Sequence, residues 1–401
     1  MSDITDTSTM PAIALCIGTR PEIIKIAPVV HALQAARLRP ILIHSGQHDS
    51  MAWPLYKFFD LKPDAIIDLK RTSSTLAHLG SRLLDTLTAE LENHKPAALL
   101  VHGDTSTALM GALAGFYQQI PIGHVEAGLR THQMYDPFPE EKNRELIGRL
   151  ARWHFAPTQR AAKNLSAEGI TQGIFETGNT AVDAALYAVK RLETYWQESP
   201  ESFPESLKPL RRQLNIELNN PGAEKQRLLL VTAHRRENWG AGITAIAEAI
   251  RDWLIAHPNY TAVWPVHGNP AVAQIVQQTF AAHRAILGSR LLLTEPLDYA
   301  ALLWVMRQAW MILTDSGGIQ EEAAALNLPV LVLRDTTERP ELLETGRGLL
   351  TGAKRANIHA DMTRLHSDND AYELMKSGLN PFGNGTTATQ IAKILTDTLG
   401  S

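Results

Sequence analysis

The sequence has little of what several common protein classes require. Cysteine occurs once in 401 residues, as Cys16, which excludes an intrachain disulfide and is typical of a reducing compartment. No apolar run approaches the roughly 20 residues of a membrane span, and residues 1–10 lack the basic start and apolar stretch of a signal peptide. We therefore expect a soluble cytoplasmic protein without a membrane partner, in which residues 1–10 form a flexible tail.

A strong charge of one sign is also missing. The sequence has 38 Lys and Arg against 42 Asp and Glu, a net charge of -4, and its basic residues are scattered. A nucleic-acid partner is therefore not expected.

Motifs for the common cofactors are missing as well. The chain contains neither the dinucleotide fingerprint GxGxxG nor the phosphate-binding loop GxxxxGK[ST], and its 15 histidines show no HExxH spacing. The sequence predicts no cofactor and no metal, although clustered carboxylates leave metal binding as an alternative.

Short apolar runs alternate with helical patterns along the whole chain, which is typical of βα units and parallel sheets. The predicted strands lie at 13–17, 41–44, 98–102, 120–124, 154–156 and 174–176, and then at 228–232, 261–266, 291–294, 311–314 and 330–333. The clearest helices are predicted at 21–36, 107–117, 140–150 and 388–399. Six strands followed by five indicate an α/β fold of two Rossmann-like, doubly wound domains.

The predicted domains are 11–190 and 191–380, with a boundary near 187–205. Residues 197–226 carry four prolines and many charges, which is typical of a connection. The chain length favours the same division, because one core rarely supports 401 residues. Since ligands of such sheets bind beyond the carboxyl ends of the strands, we expect the site in the crevice between the domains.

Acidic residues mark the strand ends of the first domain. Asp104 and Glu126 each follow a predicted strand, and Glu140 begins a predicted helix. Carboxylates gathered in a cleft raise one another's pKa, which suits them to accept and return protons near neutral pH. These three residues are the predicted acid/base set.

Two helix starts are candidate anion sites. Gly18–Glu22 follows the first strand, with Pro21 expected at the first helical position, and Arg20 and Lys25 add two cations where phosphate binds favourably. In the second domain Gly317 and Gly318 allow close approach of a diphosphate, and Ser316 can donate a hydrogen bond. An ordinary helix start and a glycine-requiring turn are the respective alternatives.

Further residues of the second domain extend this set. Glu322 is placed to take the hydroxyls of a ribose, and Arg339 to contact a diphosphate. His234 follows a strand and precedes two arginines, which favours an anion or substrate contact. His267 has the same placement, and the Asn-Pro that follows it leaves a role in the turn as the alternative.

Nine ordered motifs resemble those of non-hydrolysing UDP-N-acetylglucosamine 2-epimerases over about residues 12–390. They are GTRPEIIK at 18–25, SGQH at 45–48, HGDT at 102–105, HVEAGLRT at 124–131, PEEKNR at 139–144, HRREN at 234–238, PVHGNP at 265–270, TDSGGIQEEA at 314–323 and RDTTERPE at 334–341. The resemblance implies the two-domain GT-B architecture, with the final helix, within 381–401, returning to the first domain. It also implies a homodimer.

The resemblance further implies a reaction and a role for each site residue. UDP leaves by anti elimination with loss of the proton on sugar C2, and then adds back to the resulting 2-acetamidoglucal. The product is UDP-N-acetylmannosamine, which is used in surface polysaccharide synthesis. By motif, residues that bind UDP or the sugar are Arg20, Lys25, His234, Ser316, Gly317, Gly318, Glu322 and Arg339. The acid/base set is Asp104, Glu126 and Glu140, and His234 is a further catalytic candidate.

Departures and alternatives qualify this interpretation. Many bacterial members bind a second UDP-N-acetylglucosamine as an activator, and Gln47, Arg235 and His267 match that region, whereas Ser50 departs from the common glutamine. Leu302 replaces a common phenylalanine and still offers an apolar face. Leu129, in EAGLR, favours N-acetylglucosamine as the sugar.

Three alternative functions remain open at this point. They are a hydrolysing epimerase that releases N-acetylmannosamine and UDP, a GT-B glycosyltransferase, and a nucleotide-sugar sensor.

Overall fold

The computed structural model describes residues 10–47, 52–198, 207–214 and 226–399. Residues 1–9 of the predicted tail, Ser50, and residues 199–206 and 215–225 of the predicted connection lie outside the described residues. Contacts divide the described chain into two units. Unit 1 comprises the residues up to Ala184 together with those from Phe382 onward, and unit 2 comprises those of Ala185–Pro381.

Unit 1 is built on a seven-stranded parallel sheet of order β3-β2-β1-β4-β5-β6-β7. Its strands are β1 Ala12–Ile17, β2 Arg39–His44, β3 Ala65–Ile66, β4 Ala98–His102, β5 Ile122–Val125, β6 Trp153–Ala156 and β7 Ile174–Glu176. The strand order reverses between β1 and β4. The loops that follow these two strands therefore lie side by side at the carboxyl edge, the usual place for a ligand.

Helices cover both faces of this sheet, as parallel strands buried on both faces require. They are α1 Arg20–Ala35, α2 Trp53–Phe58, α3 Leu76–His94, α4 Ser106–Tyr117, α5 Glu140–Leu150, α6 Gln159–Ala167, α7 Thr180–Glu198 and the C-terminal α17 Thr387–Leu399. All six residues of β1 are buried, which explains its continuous apolar run and the burial of Cys16. The boundary between the units falls within α7.

The C-terminal helix α17 belongs to unit 1. It packs against α1. Its first residues are also bonded to the loop before α7 and to the first turn of α7. Thr387 Oγ1 donates to the carbonyl of Thr177, in this loop, at 3.0 Å, and the Ala388 N–H donates to Asp183 Oδ1, in α7, at 2.9 Å. The first turn of α17 is thus tied to residues more than 200 positions earlier in the sequence.

Unit 2 contains a six-stranded parallel sheet of order β10-β9-β8-β11-β12-β13. Its strands are β8 Arg227–Thr232, β9 Tyr260–Pro265, β10 Leu291–Thr294, β11 Ala309–Thr314, β12 Val330–Val332 and β13 Gly348–Leu350. Its helices are α8 Leu207–Leu214, α9 Ala241–Ala256, α10 Pro270–Ala281, α11 Arg284–Leu287, α12 Tyr299–Gln308, α13 Gly317–Ala325, α14 Pro340–Glu344, α15 Arg355–Ser367 and α16 Asn369–Ser377. Here the strand order reverses between β8 and β11. The segments that follow these two strands therefore lie side by side at the carboxyl edge of this sheet, as those after β1 and β4 do in unit 1.

The predicted α/β fold of two Rossmann-like parallel-sheet units is confirmed, with four corrections of detail. The sheets have seven and six strands instead of six and five, because β3 and β13 were missed. The strand predicted at 120–124 is observed at Ile122–Val125. Helix α1 begins at Arg20, which makes Pro21 its second residue. Part of the predicted connection 197–226 forms helix α8.

None of the helices in the described part of the chain has the length and hydropathy that a membrane span requires.

Candidate active site

Asp104 lies two residues beyond β4 and is held by the second turn of α5. Asn143 Nδ2 donates to the Asp104 carbonyl at 2.7 Å, and Arg144 donates through Nη2 to Asp104 Oδ2. Burial raises the pKa of Asp104 above its usual range, with smaller upward effects from Glu126 and Glu140, while the Arg144 guanidinium opposes them. Asp104 is therefore a carboxyl group with an increased affinity for a proton, within electrostatic range of the other two predicted acid/base residues.

Glu126 follows β5 in a left-handed backbone conformation, with φ of +65°. Such a conformation is uncommon for a residue with a Cβ atom. Glu126 Oε1 accepts from Lys25 Nζ at 2.5 Å and from Asn179 Nδ2 at 3.0 Å. Two elements distant in sequence thus fix this carboxylate.

His102 is a third neighbour of Glu126, with its Nε2 atom 3.7 Å from Glu126 Oε2. Burial lowers the pKa of His102 to about 4, so its imidazole is neutral at physiological pH. The charge of Glu126 is balanced by Lys25 and not by His102.

Adjacent glutamates at the start of α5 have different environments. Glu141 is fully buried and accepts from the N–H groups of Thr131 and His132 at 2.8–3.1 Å. Arg144 Nη1 also lies 3.5 Å from Glu141 Oε2. Glu140, the first residue of α5, is only half-buried. Glu141 therefore shapes the loop before α5, and Glu140 is the member of the pair that is accessible to a ligand.

The start of α1 is occupied by one of its own side chains. The N–H groups of Gly18 and Thr19 donate to Glu22 Oε2 at 3.0 and 2.7 Å, and Thr105 Oγ1 donates to Glu22 Oε1 at 2.7 Å. Burial raises the pKa of Glu22 to about 7. The two backbone donors expected to face a phosphate are therefore bound to Glu22. Of the two expected cations, Lys25 pairs with Glu126, and Arg20 is half-buried.

At the carboxyl edge of unit 2, the segment after β8 is bound to Asp315, which directly follows β11. The N–H groups of His234 and Arg235 both donate to Asp315 Oδ2 at 2.9 Å, and Asn238 Nδ2 donates to the same oxygen at 3.0 Å. The rings of His234 and His267 stack at 5.9 Å between centroids. The predicted residues His234, Arg235 and His267 are thus brought together in this unit.

The N-terminus of α13 combines a helix end with a cation. Gly317 is its first residue, and a Cβ atom built there would lie 4.0 Å from Arg339 Cζ. Arg339 Nε donates at 2.5 Å to Glu321 Oε1, and Glu321 is fully buried. At Gly318 an added Cβ would meet no atom within 4 Å. A helix N-terminus with open backbone beside a guanidinium is an arrangement that can bind an anion.

Two other predicted binding residues, Glu322 and Gln47, lie in different units. Glu322 lies one turn further along α13 and is 9% exposed. Gln47, in unit 1, accepts from Thr107 Oγ1 at 2.8 Å, and Thr107 also bonds with Ser45 Oγ at 2.8 Å.

Sequence reasoning missed the residues that hold the predicted ones in place. They are Glu22, His102, Glu141, Asn143, Arg144, Asn179, Asp315 and Glu321. Most of these residues belong to the nine motifs listed above, but the motifs do not show which side chains contact one another.

Among the described residues, no group of three or more His, Cys, Asp or Glu side chains is arranged to hold a metal ion.

Residues 31–396 match the family model described as UDP-N-acetylglucosamine 2-epimerase. The chain belongs to this family. It is 42% identical over 381 residues to the UDP-N-acetylglucosamine 2-epimerase of Yersinia pestis, covering 94% of this chain and 96% of that protein. The predicted family and the general class of enzyme, an epimerase, are thereby confirmed.

Solved structures of epimerases agree with this assignment. The UDP-N-acetylglucosamine 2-epimerase of Neisseria meningitidis, bound to UDP-N-acetylglucosamine, superposes with a TM-score of 0.81 at 36% identity, covering 96% of this chain and 100% of that one. The enzyme of Methanocaldococcus jannaschii, in complex with UDP-N-acetylglucosamine and UDP, gives a TM-score of 0.72 at 31% identity, with coverages of 96% and 99%.

Proposed function

We propose that the protein is a non-hydrolysing UDP-N-acetylglucosamine 2-epimerase, which interconverts UDP-N-acetylglucosamine and UDP-N-acetylmannosamine. The observation that carries this proposal is the carboxylate cluster of unit 1, in which Asp104, with a raised pKa, lies near Glu126 and Glu140. Inverting a carbon centre by proton removal and return requires such groups. The bound nucleotide and nucleotide sugar in the two related structures support the choice of substrate.

The reaction proceeds by elimination and readdition. A carboxylate takes the proton from sugar C2, the C2–H electron pair forms the C1=C2 double bond, and the C1–O bond to UDP breaks with its electrons on the diphosphate. UDP then returns to C1, and C2 receives a proton on the opposite face. The three carboxyl groups supply the proton acceptor and the proton donor for this cycle. Neither a hydride acceptor nor a covalent nucleophile is needed.

UDP binding is assigned to unit 2. Arg339 and the first turn of α13, at Gly317 and Gly318, are suited to the diphosphate, with Ser316 as a further hydrogen-bond donor. Glu322 is suited to accept from the two ribose hydroxyls. Buried Glu321 holds the Arg339 side chain through its Nε atom, which reduces the conformational entropy that Arg339 loses when UDP binds.

Proton NMR of a single incubation tests the proposal. The purified protein is mixed with UDP-N-acetylglucosamine without added metal or NAD, and with EDTA in a parallel sample. We expect an equilibrium mixture that contains UDP-N-acetylmannosamine in both samples. Free N-acetylmannosamine and UDP as main products would instead identify a hydrolysing epimerase, and sugar transfer that occurs only with an added acceptor would identify a glycosyltransferase.

A further inference from the structure

Asp315 is a fully buried carboxylate whose hydrogen-bond donors all come from one segment. Its Oδ2 atom accepts from the backbone N–H groups of His234 and Arg235 and from the Asn238 side chain. Its Oδ1 atom faces the His234 imidazole, with Nδ1 at 3.3 Å, and the backbone N–H of His234 at 3.2 Å. Asp315 therefore holds the backbone of His234 by hydrogen bonds and places a carboxylate oxygen within ion-pair distance of its ring.

This geometry selects one tautomer of His234. An ionised carboxylate only accepts hydrogen bonds, so the ring nitrogen that faces Asp315 Oδ1 is favoured as Nδ1–H. A neutral imidazole then has its lone pair on Nε2, on the other side of the ring. The His234 side chain is 42% exposed, so a ligand has access to it.

We propose that Asp315 is a positioning residue that holds His234 as the Nδ1–H tautomer, so that Nε2 accepts a hydrogen bond from a hydroxyl group of the bound nucleotide sugar. This inference rests on the proposed function for the identity of the ligand. The orientation and tautomer of His234 are properties of the free protein and do not depend on it.

The partly buried surroundings of His234 favour its neutral form. Burial lowers the pKa of His234, Arg235 and His267 lower it further, and Asp315 opposes them. A neutral ring accepts a hydrogen bond at Nε2, whereas an imidazolium ion donates one. His234 therefore differs from Arg339, which contacts the diphosphate as a cation.

The first experiment determines the tautomer directly in the native protein. Two-dimensional 1H–15N NMR of the histidine rings distinguishes a protonated nitrogen from one with a free lone pair, and the His234→Gln variant identifies the His234 signals by their loss. We expect Nδ1–H and unprotonated Nε2 at pH 7.5. A ring protonated at Nε2 alone, or at both nitrogens, would overturn the proposal.

The second experiment uses Asp315→Asn with Asn238→Ala as its matched control. An amide can donate to Nδ1, so Asp315→Asn is expected to shift His234 toward the Nε2–H tautomer. We expect kcat/KM to fall by about 10–100-fold, the loss typical when the outer partner of a metal-bound histidine is changed. Asn238→Ala removes a donor to the same Asp315 oxygen but leaves the ring contact, so the tautomer should persist. Thermal unfolding shows whether both variants fold.

The two experiments separate failure of this inference from failure of the proposed function. If the native protein lacks epimerase activity but has the Nδ1–H tautomer, the proposed function fails and the positioning role of Asp315 remains. If the native protein is active and folded Asp315→Asn keeps both the native tautomer and the native kcat/KM, Asp315 has no positioning role.

Discussion

The ammonium group of Lys25, on α1, lies 2.5 Å from Glu126 Oε1, after β5, although 101 residues separate the two in sequence. Both side chains are nearly buried, with 12% and 10% exposure. A cation that the sequence assigned to a diphosphate therefore contacts a predicted acid/base residue. It holds that carboxylate in place and balances its charge within unit 1.

Changing Lys25 to Met should be strongly destabilising. Removing one partner of a nearly buried ion pair leaves a charge that is poorly compensated, which typically costs about 3–5 kcal/mol. Urea unfolding measures this loss. The double variant Lys25→Met, Glu126→Gln should recover part of it, because the uncompensated charge is then gone. Equal stabilities of native protein and Lys25→Met would show that the pair contributes nothing.

Changing Arg339 to Ala should weaken UDP binding by about 1.5–3 kcal/mol, the cost of losing a hydrogen bond to a charged group. Isothermal titration calorimetry with UDP gives the affinity. Arg307→Ala is the matched control, because Arg307 is 58% exposed and pairs with Glu193, so its loss should leave the UDP affinity unchanged. An unaltered affinity in Arg339→Ala would remove Arg339 from the UDP site.

Glu22 should make the stability of the protein depend on pH. Its pKa is about 7 in the folded state against 4.5 for an ordinary glutamate, so between these values the native state holds a proton that the unfolded chain has released. The free energy of unfolding should therefore fall as pH rises through this window, by at most about 3 kcal/mol from this group.

The Glu22→Gln variant should lose this contribution. Its free energy of unfolding, from urea titrations at pH 5, 6, 7 and 8, should decline less with pH than that of the native protein. Glu168→Gln is the control. Arg130 holds the pKa of Glu168 below its ordinary value, so Glu168 contributes constant stability above pH 5, which is lost only in more acidic solution. Parallel pH profiles for Glu22→Gln and the native protein would refute the prediction.

The local sequence predicted much of the fold because buried parallel strands are continuous apolar runs, and helices of clear period follow them. Helix α5 was predicted at its observed bounds, Glu140–Leu150. The short strands β3 and β13 at the sheet edges were missed, since two or three residues show no periodicity and depend on pairing with β2 and β12.

The sequence indicates which residues are candidates for the site, but it does not indicate which of them contact one another. Asp104 and Glu126 stood out because they follow strands. Their partners Arg144 and Asn179 lie 40 and 53 residues away, and only tertiary packing determines which cation or amide meets which carboxylate. The helix start at Gly18 is predicted as a phosphate site from its sequence position, which does not show that Glu22 bonds to its backbone.

Incorporation of solvent deuterium at sugar C2 measures the proton exchange that the acid/base set is assigned to perform. In D2O the native protein should place deuterium at C2 during epimerisation. Asp104→Asn, Glu126→Gln and Glu140→Gln should do so about 10²–10⁴-fold more slowly while still binding UDP. Glu145→Gln is the control. Glu145 lies on the same helix as Glu140, α5, and its carboxylate pairs with Lys142, so this variant should incorporate deuterium at the native rate. Near-native deuterium incorporation in all three amide variants would show that Asp104, Glu126 and Glu140 are not the acid/base groups.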